Sequence, residues 1–174
     1  MKSPRRWCGW TGRRPALPDY RFRPAARSDL PMLADWLAAR QVAEWWGDPA
    51  EQLALIAEDL DNPAMTALIV MADGHPIAYA QHYPAHHWNA PHFHDLPPDA
   101  VAIDAFSAPQ GMGQGGAWLD ALARRLLERA PVLVIDPEPG NLRAIRAYEK
   151  AGFSGTDIRP SEDGSPARIM IRRR

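Results

Sequence analysis

The sequence predicts one mixed α/β domain, and three observations carry that prediction. Short apolar or alternating runs of strand length recur along the chain. Segments of helical period with recognisable starts and stops lie between them. A glycine-rich turn, Gln110-Gly111-Met112-Gly113-Gln114-Gly115-Gly116-Ala117, joins one strand to a long amphipathic helix. Strands alternating with helices in this way build a sheet with helices packed on it.

In chain order, residues 20–23 (Tyr-Arg-Phe-Arg) alternate as a strand does. Ser28 or Asp29 caps a helix running to about residue 40, with Pro31 tolerated in its first turn. Residues 42–47, Val-Ala-Glu-Trp-Trp-Gly, read as a tight aromatic corner, and a second helix spans about 49–60. Strands at 66–71 and 76–83 flank Asp73-Gly74, a two-residue hairpin signal. A loop rich in histidine and proline, 86–99, leads to a fourth strand at 100–106. After the glycine turn, a helix over about 115–130 turns Leu119, Leu122 and Leu126 inward and Arg124, Arg125, Glu128 and Arg129 outward. Val-Leu-Val-Ile at 132–135 is continuously apolar, as a buried strand is, and Asp-Pro-Glu-Pro-Gly ends it. Asn141 then caps a helix over 142–151, and Gly152 fits the left-handed residue that closes it. In that frame Tyr148 and Phe153 are the pair whose side chains meet in a Schellman stop. Closing strands at 153–158 and 168–172 flank a turn at Asp163-Gly164.

The totals bound the function. The chain has 174 residues, 46% of them apolar, enough for one proper core. No apolar run reaches membrane-spanning length. A single cysteine, Cys8, excludes an intrachain disulfide and fits a reducing, cytoplasmic compartment. The net charge of −1 hides an asymmetry: residues 1–19 carry +4, leaving −5 on the rest, or −8 without Arg172, Arg173 and Arg174. Such a body favours a cationic partner over nucleic acid. Residues 1–19, basic and rich in proline and glycine, read as a flexible arm with Trp7 and Trp10 as its anchors; residues 20–174 form the domain. A polyanion-binding arm is the lesser reading for so few charges.

The glycine turn has two readings. A helix start exposes unpaired N–H groups, and glycines let a phosphate approach the backbone; many such turns are merely tight. There is no Gly-Lys-Ser/Thr ending, and the turn follows the fourth strand, so neither a P-loop nor a dinucleotide fingerprint fits. Tyr148 likewise reads as a core tyrosine or a functional one. However, Gln-x-x-Gly-x-Gly after the fourth strand, with Asn-x-x-Ala-x-x-x-Tyr-x-x-x-Gly-Phe downstream, resembles the acyl-CoA-dependent N-acetyltransferases of the GNAT superfamily. That resemblance implies a mostly antiparallel sheet in which the fourth and fifth strands splay to admit acetyl-CoA. It places the cofactor against Gln110, Gly111, Met112, Gly113, Gln114, Gly115, Gly116 and Ala117, with the amides of 112–117 on the pyrophosphate and Asn141 and Ala144 beside pantetheine. It makes Tyr148 the acid that protonates the departing thiolate. The amine must lose a proton and attack the thioester carbonyl, and an N–H near Ala105 or Phe106 would receive the oxyanion.

Further segments narrow the likeness. Glu44-Trp45-Trp46-Gly47, residues 76–81, Ile103-Asp104 and residues 136–146 resemble the aminoglycoside 6′-N-acetyltransferases. By that resemblance Asp104 and Asp136 bind substrate ammonium groups, Asp104 helps remove the proton, Trp46 walls the sugar site and Asp163 lies near the antibiotic. Physically, two carboxylates at adjacent strand ends, flanked by Glu138, make a negative pocket for a polycation. The expected partners are therefore acetyl-CoA and a small cationic amine, with no nucleic acid or membrane, in a monomer or homodimer. Another primary amine (lysine-like, siderophore-derived or polyamine) and a silent CoA-binding domain stay open. The loop before the fourth strand departs from the acidic family pattern, carrying His86, His87, His92, His94 and Asp95. These match no standard zinc spacing, so no metal is expected and a solvated loop is preferred.

Overall fold

The computed structural model describes residues 18–174. The expectations for Cys8, Trp7, Trp10 and most of the basic arm lie outside these residues. Five strands and four helices lead into the site: β1 (Tyr20–Pro24), α1 (Leu30–Leu37), α2 (Arg40–Trp46), α3 (Pro49–Asp59), β2 (Thr66–Ala72), β3 (His75–Pro84), β4 (Val101–Ser107), α4 (Gly115–Leu127) and β5 (Val132–Ile135). The chain closes with α5 (Leu142–Lys150), β6 (Ile158–Pro160), β7 (Pro166–Arg168) and β8 (Met170–Arg173). A six-stranded sheet runs β1-β2-β3-β4-β5-β8. All its pairings are antiparallel except β4 with β5.

Local chemistry accounts for most boundaries. Asp73 and Gly74 both take positive φ, 48° and 84°, the left-handed pair that a two-residue hairpin requires. Asp48 caps α3 by accepting from the N–H groups of Ala50 and Glu51. Asn141 does the same for α5 through Ala144 N–H, 3.1 Å away. The far end of α5 is a full Schellman stop: Phe153 N–H donates to Tyr148 O and Gly152 N–H to Glu149 O, both at 3.0 Å.

Three expectations are corrected. Of residues 42–47, expected as a corner, 42–46 are most of α2 and Gly47 ends it, and α1 stops at Leu37 instead of reaching residue 40. Ala39 alone, extended at φ −65°, ψ 128°, turns the chain between the two helices. Nothing in Ala38-Ala39 is a breaker, so a reading by pattern runs straight through it. The strand expected at 153–158 likewise does not form; only Ile158 lies in a strand, as the first residue of β6. Ser154 makes one isolated bridge with Ile171, and Gly155 then takes φ 153°. A Cβ on Gly155 would lie 2.1 Å from Ile169 O, so the chain passes too close for any side chain. The following hairpin, β6 with β7, stands apart from the main sheet around the turn expected at Asp163-Gly164.

The two faces of the sheet bury separate cores. Leu33, Trp36, Leu37 and Ile56 of α1 and α3 meet Ile69, Tyr79 and Phe106 on one face. On the other, Trp118, Leu119 and Leu122 of α4 and Ile145 of α5 meet Val70, Ala78, Ala80 and Ile103. The start of α4 packs closely against the end of α5, where a Cβ on Gly116 would lie 2.8 Å from Lys150 Cβ.

These close approaches rank two substitutions. Gly152→Ala forces a side chain into φ 82° and should cost about 1 kcal/mol, lowering Tm by roughly 2–4 °C. Gly155→Ala must also push the backbone off Ile169 O and should cost more. Thermal melts of the two variants check the order; equal losses contradict the geometry.

Candidate active site

β4 and β5 pair only through Val101 with Leu133 and Ala102 with Val134. β4 continues to Ser107 with no partner on that side among the described residues, while β5 ends at Ile135 and Pro137 follows. A gap therefore opens between the two strands from Ile103 onward. Consecutive strand residues aim their N–H groups at opposite edges, so one of Ala105 and Phe106 presents an amide to the gap.

The gap leads into a cleft of about 340 Å³. Its walls include Ala105, Phe106 and Ser107 of β4, Met112, Gly113, Gly115 and Gly116 at the start of α4, and Asn141, Ala144 and Tyr148 of α5. Gly113 has φ 86°, and among the described residues no backbone carbonyl accepts from the N–H groups of Gly113, Gly115 or Gly116. Three main-chain donors at the positive end of a 13-residue helix suit an anion. Arg143, Arg146 and Lys150 add positive charge along the same cleft. This donor set fits a diphosphate, and the gap fits a slender arm extending from it.

The other predicted members of the glycine turn lie behind this wall. Gln110 donates to Pro76 O at 2.9 Å, Gln114 accepts from Tyr20 Oη at 3.3 Å, and Gly111 packs against Ile77 O. Ala117 sits one residue further into α4, its N–H bonded to Gln114 O.

A second hollow, about 320 Å³, opens on the opposite side of the gap. Its lining brings together Trp46, Asp104, Asp136, Glu138, Asn141 and Tyr148. Tyr148, Asn141, Ala105 and Trp46 belong to both hollows, so the tyrosine stands where they meet. Burial, reinforced by the charges of Asp104 and Asp136, pushes its phenol above the usual tyrosine range. The hydroxyl therefore keeps its proton at neutral pH.

Asp104 is held by neighbours on its own face of the sheet. Gln81, directly across the β3–β4 register, donates to Oδ2 at 3.0 Å, and Tyr83 donates to Oδ1 at 3.5 Å. Tyr79 in turn donates to Gln81 Oε1 at 2.7 Å. Burial, followed by the Asp136 charge, pushes the Asp104 carboxyl up to about 7 despite the two donors. A carboxylate near that value exchanges protons at neutral pH, as a general base must.

Asp163 is not in the acidic hollow but in a neighbouring one, which it shares with Asp136, Tyr83, Trp88 and His92. The hydroxyls of Ser161 and Ser165 hold its carboxyl down at about 2. The four loop histidines have four different surroundings. His86 donates to the Leu96 and Pro97 carbonyls, His94 donates to Pro91 O, His87 meets Trp88 edge-on, and His92 contacts Asp136. Among the described residues no three His, Cys, Asp or Glu side chains converge on a metal position.

Trp45, Gln81, Tyr83 and His92 are among the lining residues that were not picked out from the sequence as site residues. Tyr79, Gln81 and Tyr83 form a period-2 polar and aromatic stripe on β3, a signal present in the sequence. The His92–Asp136 contact spans 44 residues and leaves no local trace.

Residues 25–158 match the model of the acetyltransferase (GNAT) domain family. Over 163 residues the chain is 36% identical to an aminoglycoside N(6′)-acetyltransferase type 1 of Klebsiella pneumoniae, spanning 84% of this chain and 79% of that protein. Its fold superposes on the structure of aminoglycoside acetyltransferase AAC(6′)-Ib in complex with coenzyme A and kanamycin, with a TM-score of 0.73 and 31% identity over 89% of this chain and 95% of that one. A complex of AAC(6′)-Ib with ribostamycin and coenzyme A gives a TM-score of 0.74 at 32% identity, covering 89% and 93%.

The raised carboxyl of Asp104 carries a stability signature. Unfolded aspartate titrates near 3.9, so the folded chain holds this proton more tightly than the unfolded chain does. Its contribution is fully present below about pH 4 and is lost as pH rises through about 7. The stability of Asp104→Asn relative to the parent should therefore increase from pH 4 to pH 8. Urea titrations at several pH values check this, and a difference that does not vary with pH contradicts it.

Proposed function

The chain belongs to the GNAT acetyltransferase family, and from that premise we propose that it acetylates the 6′-amino group of an aminoglycoside, with acetyl-CoA as cosubstrate. The observation that carries this reading is the joining of two oppositely charged hollows at Tyr148. One is lined by amide donors, arginine and lysine; the other is lined by Asp104, Asp136 and Glu138. The first suits a phosphorylated acyl carrier and the second a polycationic acceptor. The names of the relatives point to the same pair of ligands.

Acetyl-CoA supplies an acetyl group activated as a thioester. The amides of Gly113, Gly115 and Gly116 hold its diphosphate, and Asn141 and Ala144 border its pantetheine arm. Asp136 and Glu138 draw the substrate's ammonium groups into the acidic hollow, and Trp46 forms the apolar wall for a sugar face. Asp104 takes the proton that the reacting amine must lose, its carboxyl positioned by Gln81 and Tyr83. An N–H of β4 at Ala105 or Phe106 faces the developing oxyanion. Tyr148, protonated and placed between the hollows, gives its proton to the leaving sulfur. The reaction involves no covalent attachment to the protein.

The experiment is a thiol-release assay with kanamycin, tobramycin, spermidine and lysine as acceptors, followed by NMR of the product. Saturable release with kanamycin, with acetyl on the 6′ nitrogen, is expected. Release only with the small amines, or with none of them, contradicts the reading. Tyr148→Phe should lower kcat by about 100-fold while leaving the acetyl-CoA KM within about threefold, because the hydroxyl acts only as the sulfur departs. Unchanged kcat would remove Tyr148 from the chemistry.

A further inference from the structure

His92 is the most deeply buried of the loop histidines, 6% exposed, and it has no part in the reaction described above. Its Nε2 lies 3.0 Å from Asp136 Oδ2. An ionised carboxylate only accepts hydrogen bonds, so Nε2 carries the hydrogen and donates it. The other ring nitrogen, Nδ1, is the one buried side-chain nitrogen or oxygen without a hydrogen-bond partner among the described residues. Burying an unpaired polar atom is unfavourable, and a phenylalanine in this position would avoid it. The histidine must therefore gain something at Nε2.

The surrounding loop is fastened from the far side. Arg159 of β6 grips Asp95 with both guanidinium nitrogens, at 2.6 and 2.9 Å, and donates to the His92 carbonyl at 2.9 Å. The backbone of His92 is thus clamped while its ring presses on the carboxylate. Only Oδ2 of Asp136 is engaged; no protein donor reaches Oδ1 among the described residues. Asp136 is also the wall common to the acidic hollow and the neighbouring hollow that holds Asp163.

We propose that His92 is a positioning residue that pins Asp136 by one oxygen and leaves the other aimed at a substrate ammonium group. This rests on the reading of Asp136 as an ammonium receiver. A pinned carboxylate offers one acceptor in a fixed direction. A carboxylate released from His92 rotates and must be ordered each time an amine binds, so the effect falls on amine affinity and not on the transfer step.

The test combines His92→Phe, which keeps a ring and removes the donor, with His92→Gln, whose amide nitrogen reaches the same point. Each is made alone and with Asp136→Asn, with thermal melts to confirm folding. In the parent background His92→Phe should raise the kanamycin KM about tenfold, with kcat and the acetyl-CoA KM changed less than about twofold. His92→Gln should return the kanamycin KM to within about threefold of the parent, and His92→Phe should change it less than about twofold once Asp136 is asparagine. An equal rise in both backgrounds, or no rise in the parent, overturns the role of His92 alone. If Asp136→Asn by itself leaves the kanamycin KM unchanged, the ammonium-receiver reading fails and the positioning role falls with it. Nitrogen NMR of the His92 ring gives an answer that needs no turnover: a protonated Nε2 is expected at neutral pH, and an unprotonated one overturns the contact.

Discussion

The structure turns on a pairing that stops. β4 and β5 share two register positions and then part, while β3 stays zipped to β4 along its whole length. An unpaired strand edge inside a protein is costly unless something else meets its polar groups. Here both strands end in segments that cannot resume the ladder: Asp136-Pro137 after β5, and Ala108-Pro109 after β4. The opening is thereby built into the backbone and does not depend on side-chain movement. The start of α4 and the Asn141 end of α5 both line the cleft, and the α4 turn supplies the unpaired N–H groups.

The gap also separates charges. The start of α4 and basic side chains of α5 lie on one side; Asp104 in mid-β4, and Asp136 and Glu138 after β5, lie on the other. Tyr148 sits between them because the Asn141 cap and the Gly152 stop fix both ends of a nine-residue helix. Burial first, and the neighbouring carboxylates second, keep the Tyr148 phenol protonated and lift the Asp104 carboxyl. One cluster therefore suits a proton donor and a proton acceptor at the same pH.

Much of this arrangement was readable from local sequence. The caps of α5, the Schellman glycine and the Asp73-Gly74 hairpin depend on residues a few positions apart, and each lies where the sequence predicts it. The mixed, mostly antiparallel sheet and its splay follow from the family resemblance, and the register bears them out. What escaped the sequence depends on distant contacts. Ala39 bends the chain without any breaker, Gly155 is dictated by Ile169, and His92 finds Asp136 across 44 residues. The glycines of the α4 turn also divide by cause: Gly116 serves packing against α5 and Gly111 packing against Ile77, whereas Gly113 has open space beside it.

The central claim is that the parting of β4 from β5 seats the thioester beside Tyr148. A crystal structure with bound coenzyme A measures this directly. The sulfur is expected within hydrogen-bonding distance of Tyr148 Oη and the diphosphate on the amides of Gly113, Gly115 and Gly116. Coenzyme A bound elsewhere, or strands that close over the gap, would contradict it.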